Sequence, residues 1–432
     1  MSKILLRAMV LPMTGAADFY PEGEIAIEGD CIIFVGEKGS VPAGFIPDQI
    51  LDYPNDVILP GLINTHTHAA MTMLRGYADD LPLMPWLETK VWPFEAKMSD
   101  QDIYWGTALA LCEMIRSGTT TMLDMYASMD QVAEAVLKAG TRAVLSRGLI
   151  GNAPNGQTAL AENIALIKKF HKQGDNRLTV MFGPHAPYTC SGEFLQQVKA
   201  EADRYGVGIH IHVAETQDEI NTIYQQQGLT PVQWLDGLGI FGGHIVAAHC
   251  VHLTPEDMEI MARKNVRVAH NPESNMKLSS GTALIPTLRT KGILVGIGTD
   301  GASSNNNLDL FGEMRSASFQ QKLQVGATAL PAYEVLEMAT VEGAKVLGLE
   351  DVGKLAPGYK ADLISIDLDQ PHFYPRFAIP AHLVYSAHAG DVRTVIVNGK
   401  IIMEERNLLT LDEKKICYEV ETRAKRIAGE LA

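Results

Sequence analysis

Two hydrophobic rhythms divide this chain. Toward its ends, apolar and polar positions alternate in short strand-like stretches. Residues 24–28 (EIAIE) alternate, Gly29-Asp30 turns, and residues 31–36 (CIIFVG) follow, which is a hairpin pattern. The far end repeats the theme. Residues 362–367 (DLISID) and 392–397 (VRTVIV) read as strands, and Asn398-Gly399 turns the second into residues 400–403 (KIIM). An Asn-Gly pair between apolar runs is a strong hairpin signal, because the turn needs positive φ at both central positions. Neither terminal segment is large enough to be stable alone, so residues 1–57 and 351–432 are expected to pair into one small β-sandwich.

Between them the rhythm changes. Short apolar runs at 57–64, 120–124, 142–146, 178–182, 208–213, 244–249, 266–270 and 293–300 alternate with helical patterns, such as the one over 100–117. Eight such repeats predict an α/β fold, a (β/α)8 TIM-type barrel over residues 58–350. An open doubly wound sheet is the runner-up, weakened because no G-x-G-x-x-G opens a helix.

Charge narrows the partners. Thirty-six basic against 51 acidic residues leave a net charge of −15. A nucleic-acid backbone or an anionic membrane needs a basic face, so neither is expected as a partner. No uncharged apolar run approaches the ~18 residues of a membrane span, and the N-terminus lacks a signal-peptide pattern. Cysteines at 31, 112, 190, 250 and 417 are odd in number and contain no C-x-x-C, which fits a reducing cytoplasm.

The candidate chemistry sits at the strand ends. His66, His68, His185, His212, His249, His270 and Asp300 each close or just follow one of the apolar runs. Barrel active sites gather at the C-terminal ends of strands. His66-Thr67-His68 places two imidazoles on one side of extended backbone, within reach of one metal. Three imidazoles and a carboxylate suit zinc first, with iron, manganese and nickel also compatible. His210 shares strand parity with His212 one layer deeper and reads as core packing; His244 and His252 read as structural, and His270 as loop scaffolding.

The stretch 60–68 (PGLINTHTH) resembles the P-G-x-(I/F/V)-(D/N)-x-H-x-H signature of the amidohydrolase superfamily. Residues 212–215 (HVAE), 248–250 (AHC), 298–301 (GTDG) and 353–363 (GKLAPGYKADL) resemble its later elements, in order. The resemblance implies a metal held by His66, His68, His212 and Asp300, with His249 beside the metal water. Binuclear members use a carboxylated lysine at the end of the fourth strand; residues 178–190 contain no lysine, so one metal per subunit is expected. It further implies hydrolysis by metal-activated hydroxide, with Asp300 accepting the water proton, Glu215 protonating a substrate ring nitrogen and His249 orienting the hydroxide.

Residues 71–80 (MTMLRGYADD), 83–87 (LMPWL), 92–95 (WPFE), 184–188 (PHAPY) and 303–309 (SSNNNLD) are similar to the 5-methylthioadenosine/S-adenosylhomocysteine deaminase branch of that superfamily. This implies a small nucleoside substrate, ribose recognition by Glu95, substrate contacts from Arg147, His185, Glu215 and Asp300, and a homo-oligomer, dimer or tetramer. Arg147 could instead hold a structural salt bridge, and Trp86 with Leu87 could line an apolar pocket or pack a helix. Residues 151–165 contain no second arginine for a homocysteine carboxylate, which favours the smaller methylthio substrate. The competing readings are another heterocycle aminohydrolase or chlorohydrolase (guanine, cytosine or triazine type) and a non-catalytic scaffold. The scaffold reading predicts loss of a ligand or acid, and none is lost.

Overall fold

The computed structural model describes residues 2–431 and contains two eight-stranded sheets. The N-terminal part supplies β1 (Lys3–Val10), β2 (Tyr20–Glu28), β3 (Cys31–Glu37) and β4 (Gln49–Pro60). The middle supplies β5 (Leu62–Thr67), β6 (Thr119–Tyr126), β7 (Arg142–Leu149), β8 (Leu178–Pro184), β9 (Ile209–Val213), β10 (Ile245–His249), β11 (Arg267–His270) and β12 (Val295–Ile297). The C-terminal part adds β13 (Leu363–Asp367), β14 (Val392–Val397), β15 (Lys400–Glu404) and β16 (Asn407–Leu408).

The terminal strands join in the order β16-β15-β14-β13-β4-β1-β2-β3. The two ends of the chain meet in the antiparallel β4–β13 ladder, from Pro60 opposite Leu363 to Asp56 opposite Asp367. They share one core, in which Ile4, Leu6, Val10, Ile25 and Ile27 pack with Ile58, Leu363 and Ile396. The small β domain built from both termini is thus one continuous hydrogen-bonded sheet.

Strands β5 to β12 lie side by side in chain order, every pair parallel. The nearly closed barrel is completed at the β12–β5 seam. There Thr299 N and Asp300 N both donate to His66 O, at 3.1 and 3.0 Å. Asn64 bridges the same seam, donating from Nδ2 to Thr299 Oγ1 (2.8 Å) and accepting from Thr299 N (3.1 Å). Closing the barrel therefore places Asp300 against His66, residues 234 apart in sequence.

Two features differ from the sequence reading. Residues 57–64 form two strands, not one: Val57–Pro60 end β4 in the terminal sheet, and Leu62 starts the barrel. The chain changes sheets at Gly61, which lies so close to Thr120 that a Cβ there would sit 2.2 Å from its hydroxyl oxygen. The helix Glu413–Leu431, grouped with the terminal sheet by chain order, packs back on the barrel helix Asp100–Arg116. Arg423 and Arg426 both donate to the buried Asp102 there, at 3.1 and 2.9 Å.

Candidate active site

The barrel brings the residues singled out in the sequence to one end. His66, Arg147, His212 and His249 stand at or near the C-terminal ends of β5, β7, β9 and β10; His68, His185, Glu215 and Asp300 follow just after strands. Glu95 arrives separately, from the helical segment between β5 and β6. The backbone turns sharply out of the strands here. Ala214, His249, Cys250 and Asp300 all adopt positive φ (52°, 71°, 52° and 58°). Such left-handed conformations are disfavoured for residues with a Cβ and concentrate at functional sites.

At the centre, His68 Nε2 lies 3.3 Å from Asp300 Oδ1 and 3.3 Å from His212 Nε2, and His66 Nε2 lies 3.3 Å from the same Asp300 oxygen. Two overlapping groups, His66–His68–Asp300 and His66–His212–His249, each bring their ligand atoms within 4.8 Å of one another. Their proton positions follow from their outer partners. His68 Nδ1 donates to Met125 O and His212 Nδ1 to His185 O, each over 2.6 Å, so both Nε2 atoms present lone pairs. Buried His66 Nε2 has no hydrogen-bond partner. Asp300 Oδ2 accepts from Ser274 Oγ (2.6 Å) and Ser304 Oγ (3.0 Å), which leaves Oδ1 turned inward. Two imidazole lone pairs, the unpartnered Nε2 of His66 and a carboxylate oxygen thus converge. That arrangement is repulsive without a cation and fits one closely.

Burial sets much of the surrounding electrostatics. It pushes His66 down to about 3 and His185 down to about 4, keeping both neutral. Burial raises Glu215 above the ordinary carboxyl value, against the opposing pull of His249. Burial also works to lower His249, but the charges of Glu215 and Asp300 outweigh it and hold that imidazole above its usual value. Glu215 Oε2 and His249 Nε2 are 3.8 Å apart. Around them lies an open pocket of about 230 Å³. Trp86, Leu87, Trp92 and Met98 supply apolar wall, while Glu95, Arg147, His185 and Tyr188 supply polar positions. Trp86 and Leu87 are therefore both buried packing residues and pocket lining.

Arg147 lines this pocket while its Nε donates to Glu162 Oε2 over 2.8 Å. The structural ion pair is thus present, and Arg147 also stands at the pocket wall.

Several supporting residues escaped the sequence reading. Tyr126 Oη donates to Glu95 Oε1 over 2.6 Å. Glu219 accepts from the backbone N–H of both Ala214 and Glu215 at 2.9 Å, pinning the loop that presents the acid. The T-x-x-E spacing of Thr216 and Glu219 was the available signal, since it marks a helix start where a glutamate reaches backward. Asn275 Oδ1 accepts from His249 Nδ1 over 2.8 Å. His210 is buried as expected, yet it is no mere packing residue: its Nε2 lies 2.8 Å from His66 Nδ1.

A (β/α)8 barrel carrying this His/Asp cluster at its strand ends defines a metal-dependent hydrolase. The amidohydrolase family model matches residues 57–402, and the chain belongs to that family. It is 78% identical over 428 residues to the 5-methylthioadenosine/S-adenosylhomocysteine deaminase of Desulfitobacterium hafniense (strain Y51), with 99% of each chain covered. It is 53% identical over 431 residues to the protein of the same name from Pelotomaculum thermopropionicum, covering 99% of this chain and 100% of the other. Among solved structures, it matches an adenosine deaminase from Xanthomonas campestris with bound zinc at a TM-score of 0.96 and 33% identity, with 99% of each chain covered. No described helix is long and apolar enough to cross a membrane.

Proposed function

We propose that this protein hydrolytically deaminates 5′-methylthioadenosine, S-adenosylhomocysteine or both, giving the inosine thioether and ammonia. The observation that carries this reading is the convergence of His66, His68, His212 and Asp300 with a buried acid, Glu215, beside them in a pocket that also presents Glu95. The high identity to relatives bearing this deaminase name supports the substrate class.

His66, His68, His212 and Asp300 would hold one cation, for which zinc suits the three nitrogen donors and one oxygen donor. When bound, such a cation supplies Lewis acidity that makes hydroxide available from water near neutral pH. Glu215, kept protonated more readily by burial, donates its proton to the ring nitrogen next to the amino-bearing carbon. That carbon becomes electrophilic and forms its new bond to oxygen. Asp300 takes the proton released by the attacking water. His249, whose Nε2 lies 3.8 Å from Glu215 Oε2, orients the attacking oxygen and stabilises the negative charge that builds on it. The carbon–nitrogen bond then breaks as the departing amine takes the proton held by Asp300; the hydroxyl proton returns to Glu215 as the carbonyl forms, and ammonia leaves. Glu95 accepts from the ribose hydroxyls, and His185 and Arg147 line the remaining polar wall.

Five unpaired cysteines support a cytoplasmic setting. Phe319 and Leu323, four residues apart on the helix Leu310–Val325, expose apolar side chains on one face and support the homo-oligomer reading, which light scattering would test. The deciding experiment is an ultraviolet deaminase assay on zinc-reconstituted protein, with ammonia quantified, using 5′-methylthioadenosine, S-adenosylhomocysteine, adenosine and guanine. Turnover of the thioether nucleosides above adenosine supports the proposal. Turnover of bare heterocycles alone moves the assignment to a guanine- or triazine-type hydrolase and removes the role given to Glu95.

A further inference from the structure

His66 faces the ligand cluster through Nε2, but its outer nitrogen meets a second histidine instead of a carbonyl. His66 Nδ1 lies 2.8 Å from His210 Nε2. His210 Nδ1 lies 3.0 Å from Ser146 Oγ, and Ser146 Oγ lies 2.9 Å from the carbonyl oxygen of Asp124. His66, His210, Ser146 and Asp124 are all fully buried, so no bulk water enters this row.

The protons along the row can be placed one after another. A carbonyl oxygen only accepts, so the single hydroxyl proton of Ser146 goes to Asp124 O. The hydroxyl oxygen then accepts from His210 Nδ1–H. A neutral imidazole carries one N–H, so His210 Nε2 presents a lone pair. That lone pair accepts from His66 Nδ1–H. His66 Nε2 is therefore a lone pair aimed at the cluster, in agreement with its having no hydrogen-bond partner of its own.

We infer that Ser146 and His210 are positioning residues that lock His66 in the one tautomer able to bind a cation. His68 and His212 need no such device, because the carbonyls of Met125 and His185 hold their tautomers directly. A histidine partner has two polarities where a carbonyl has one. His210 must itself be oriented, and Ser146 does this through Asp124 O. Ligating histidines depend on their outer hydrogen-bond partners for ring orientation and basicity, and losing such a partner costs roughly 10- to 100-fold in metal affinity. The inference rests on the cation reading above and is independent of which substrate is used.

The test measures zinc affinity by competition with a chromophoric chelator on metal-free protein, for wild type, His210→Met, His210→Gln and Ser146→Ala. Thermal unfolding of each metal-free variant provides the folding control. His210→Met removes the acceptor and should weaken zinc binding by about 10- to 100-fold. His210→Gln can still offer an amide oxygen and should recover most of that loss. Ser146→Ala should fall between them. Nitrogen NMR on histidine-labelled, metal-free wild type should show His66 protonated at Nδ1. Ser146→Ala should show His66 divided between its tautomers. If His210→Met fails to fold, the NMR on wild type and Ser146→Ala decides. A wild type protonated at His66 Nε2, or folded variants that bind zinc as tightly as wild type, would overturn the inference. A wild type that binds no zinc would instead defeat the cation reading itself.

Discussion

Tyr126 Oη donates to Glu95 Oε1 over 2.6 Å, tying a carboxylate on a helical segment to the rigid end of β6. Burial raises the Glu95 pKa, and this hydrogen bond works against that rise. One carboxylate oxygen is anchored, and the proposed ribose contact would fall to the other. Removing the anchor in Tyr126→Phe should raise KM for 5′-methylthioadenosine about tenfold, equivalent to ~1.4 kcal/mol, with kcat little changed. The 2′,3′-dideoxy analogue lacks the hydroxyls and should show no such penalty. An equal loss on both substrates would mean that Tyr126 supports the pocket generally and not Glu95 in particular.

Glu215→Gln keeps the shape of the acid and removes its proton. Zinc content, measured on the purified variant, should match wild type because Glu215 is outside the proposed ligand set. Turnover should drop by ~10²- to 10⁴-fold, the usual contribution of a positioned general acid. Retained activity would end its assigned role in proton transfer.

Glu162 neutralises part of the charge that Arg147 could offer to a homocysteine carboxylate. It is about half exposed, so the pair is worth little in stability but still competes for the guanidinium. Glu162→Gln should raise kcat/KM for S-adenosylhomocysteine relative to 5′-methylthioadenosine by about two- to fivefold, within the range of an exposed ion pair. An unchanged ratio would show that the tail does not sense this arginine.

Four converging acceptors also predict that the cation stabilises the fold. Chelation should lower the thermal midpoint, and added zinc should restore it; binding at about 1,000 times Kd contributes ~4 kcal/mol. Elemental analysis should find one zinc per chain, and two would contradict the absence of a lysine from residues 178–190.

Asp56, fully buried on β4, is pushed up to about 6 by burial, with Arg393 only partly opposing the shift. Its folded-state pKa lies above the unfolded value, so the folded form holds the proton longer. The associated stability is fully present below about pH 4 and declines as pH rises to about 6, by ~3 kcal/mol. Asp56→Asn cannot titrate. Its thermal midpoint relative to wild type should climb between pH 4 and pH 7, and a flat difference would refute the linkage.

Much of this molecule was legible in one dimension. The turns at Gly29-Asp30 and Asn398-Gly399 fixed two hairpins, because local φ requirements do not depend on distant contacts. Apolar runs marked the barrel strands, because a strand covered on both faces has no polar side to interrupt it. The candidate ligands could be picked out from His66-Thr67-His68 and from histidines that end strands, since strand ends are where a barrel collects its chemistry.

What escaped the sequence was whatever depends on which side chain meets which. The break at Gly61 was invisible because it is set by Thr120, a residue on another strand. His210 looked like core because parity along β9 cannot say that Ser146 of β7 and His66 of β5 lie on either side of it. The sequence by itself determined the strand rhythm, the turns and the residue types of a metal site. Only the tertiary structure decided their proton positions, the Tyr126–Glu95 anchor and the Arg147–Glu162 pairing. The physical reason is that hydrogen bonds act over about 3 Å, and barrel closure alone brings residues so far apart in the chain to that distance.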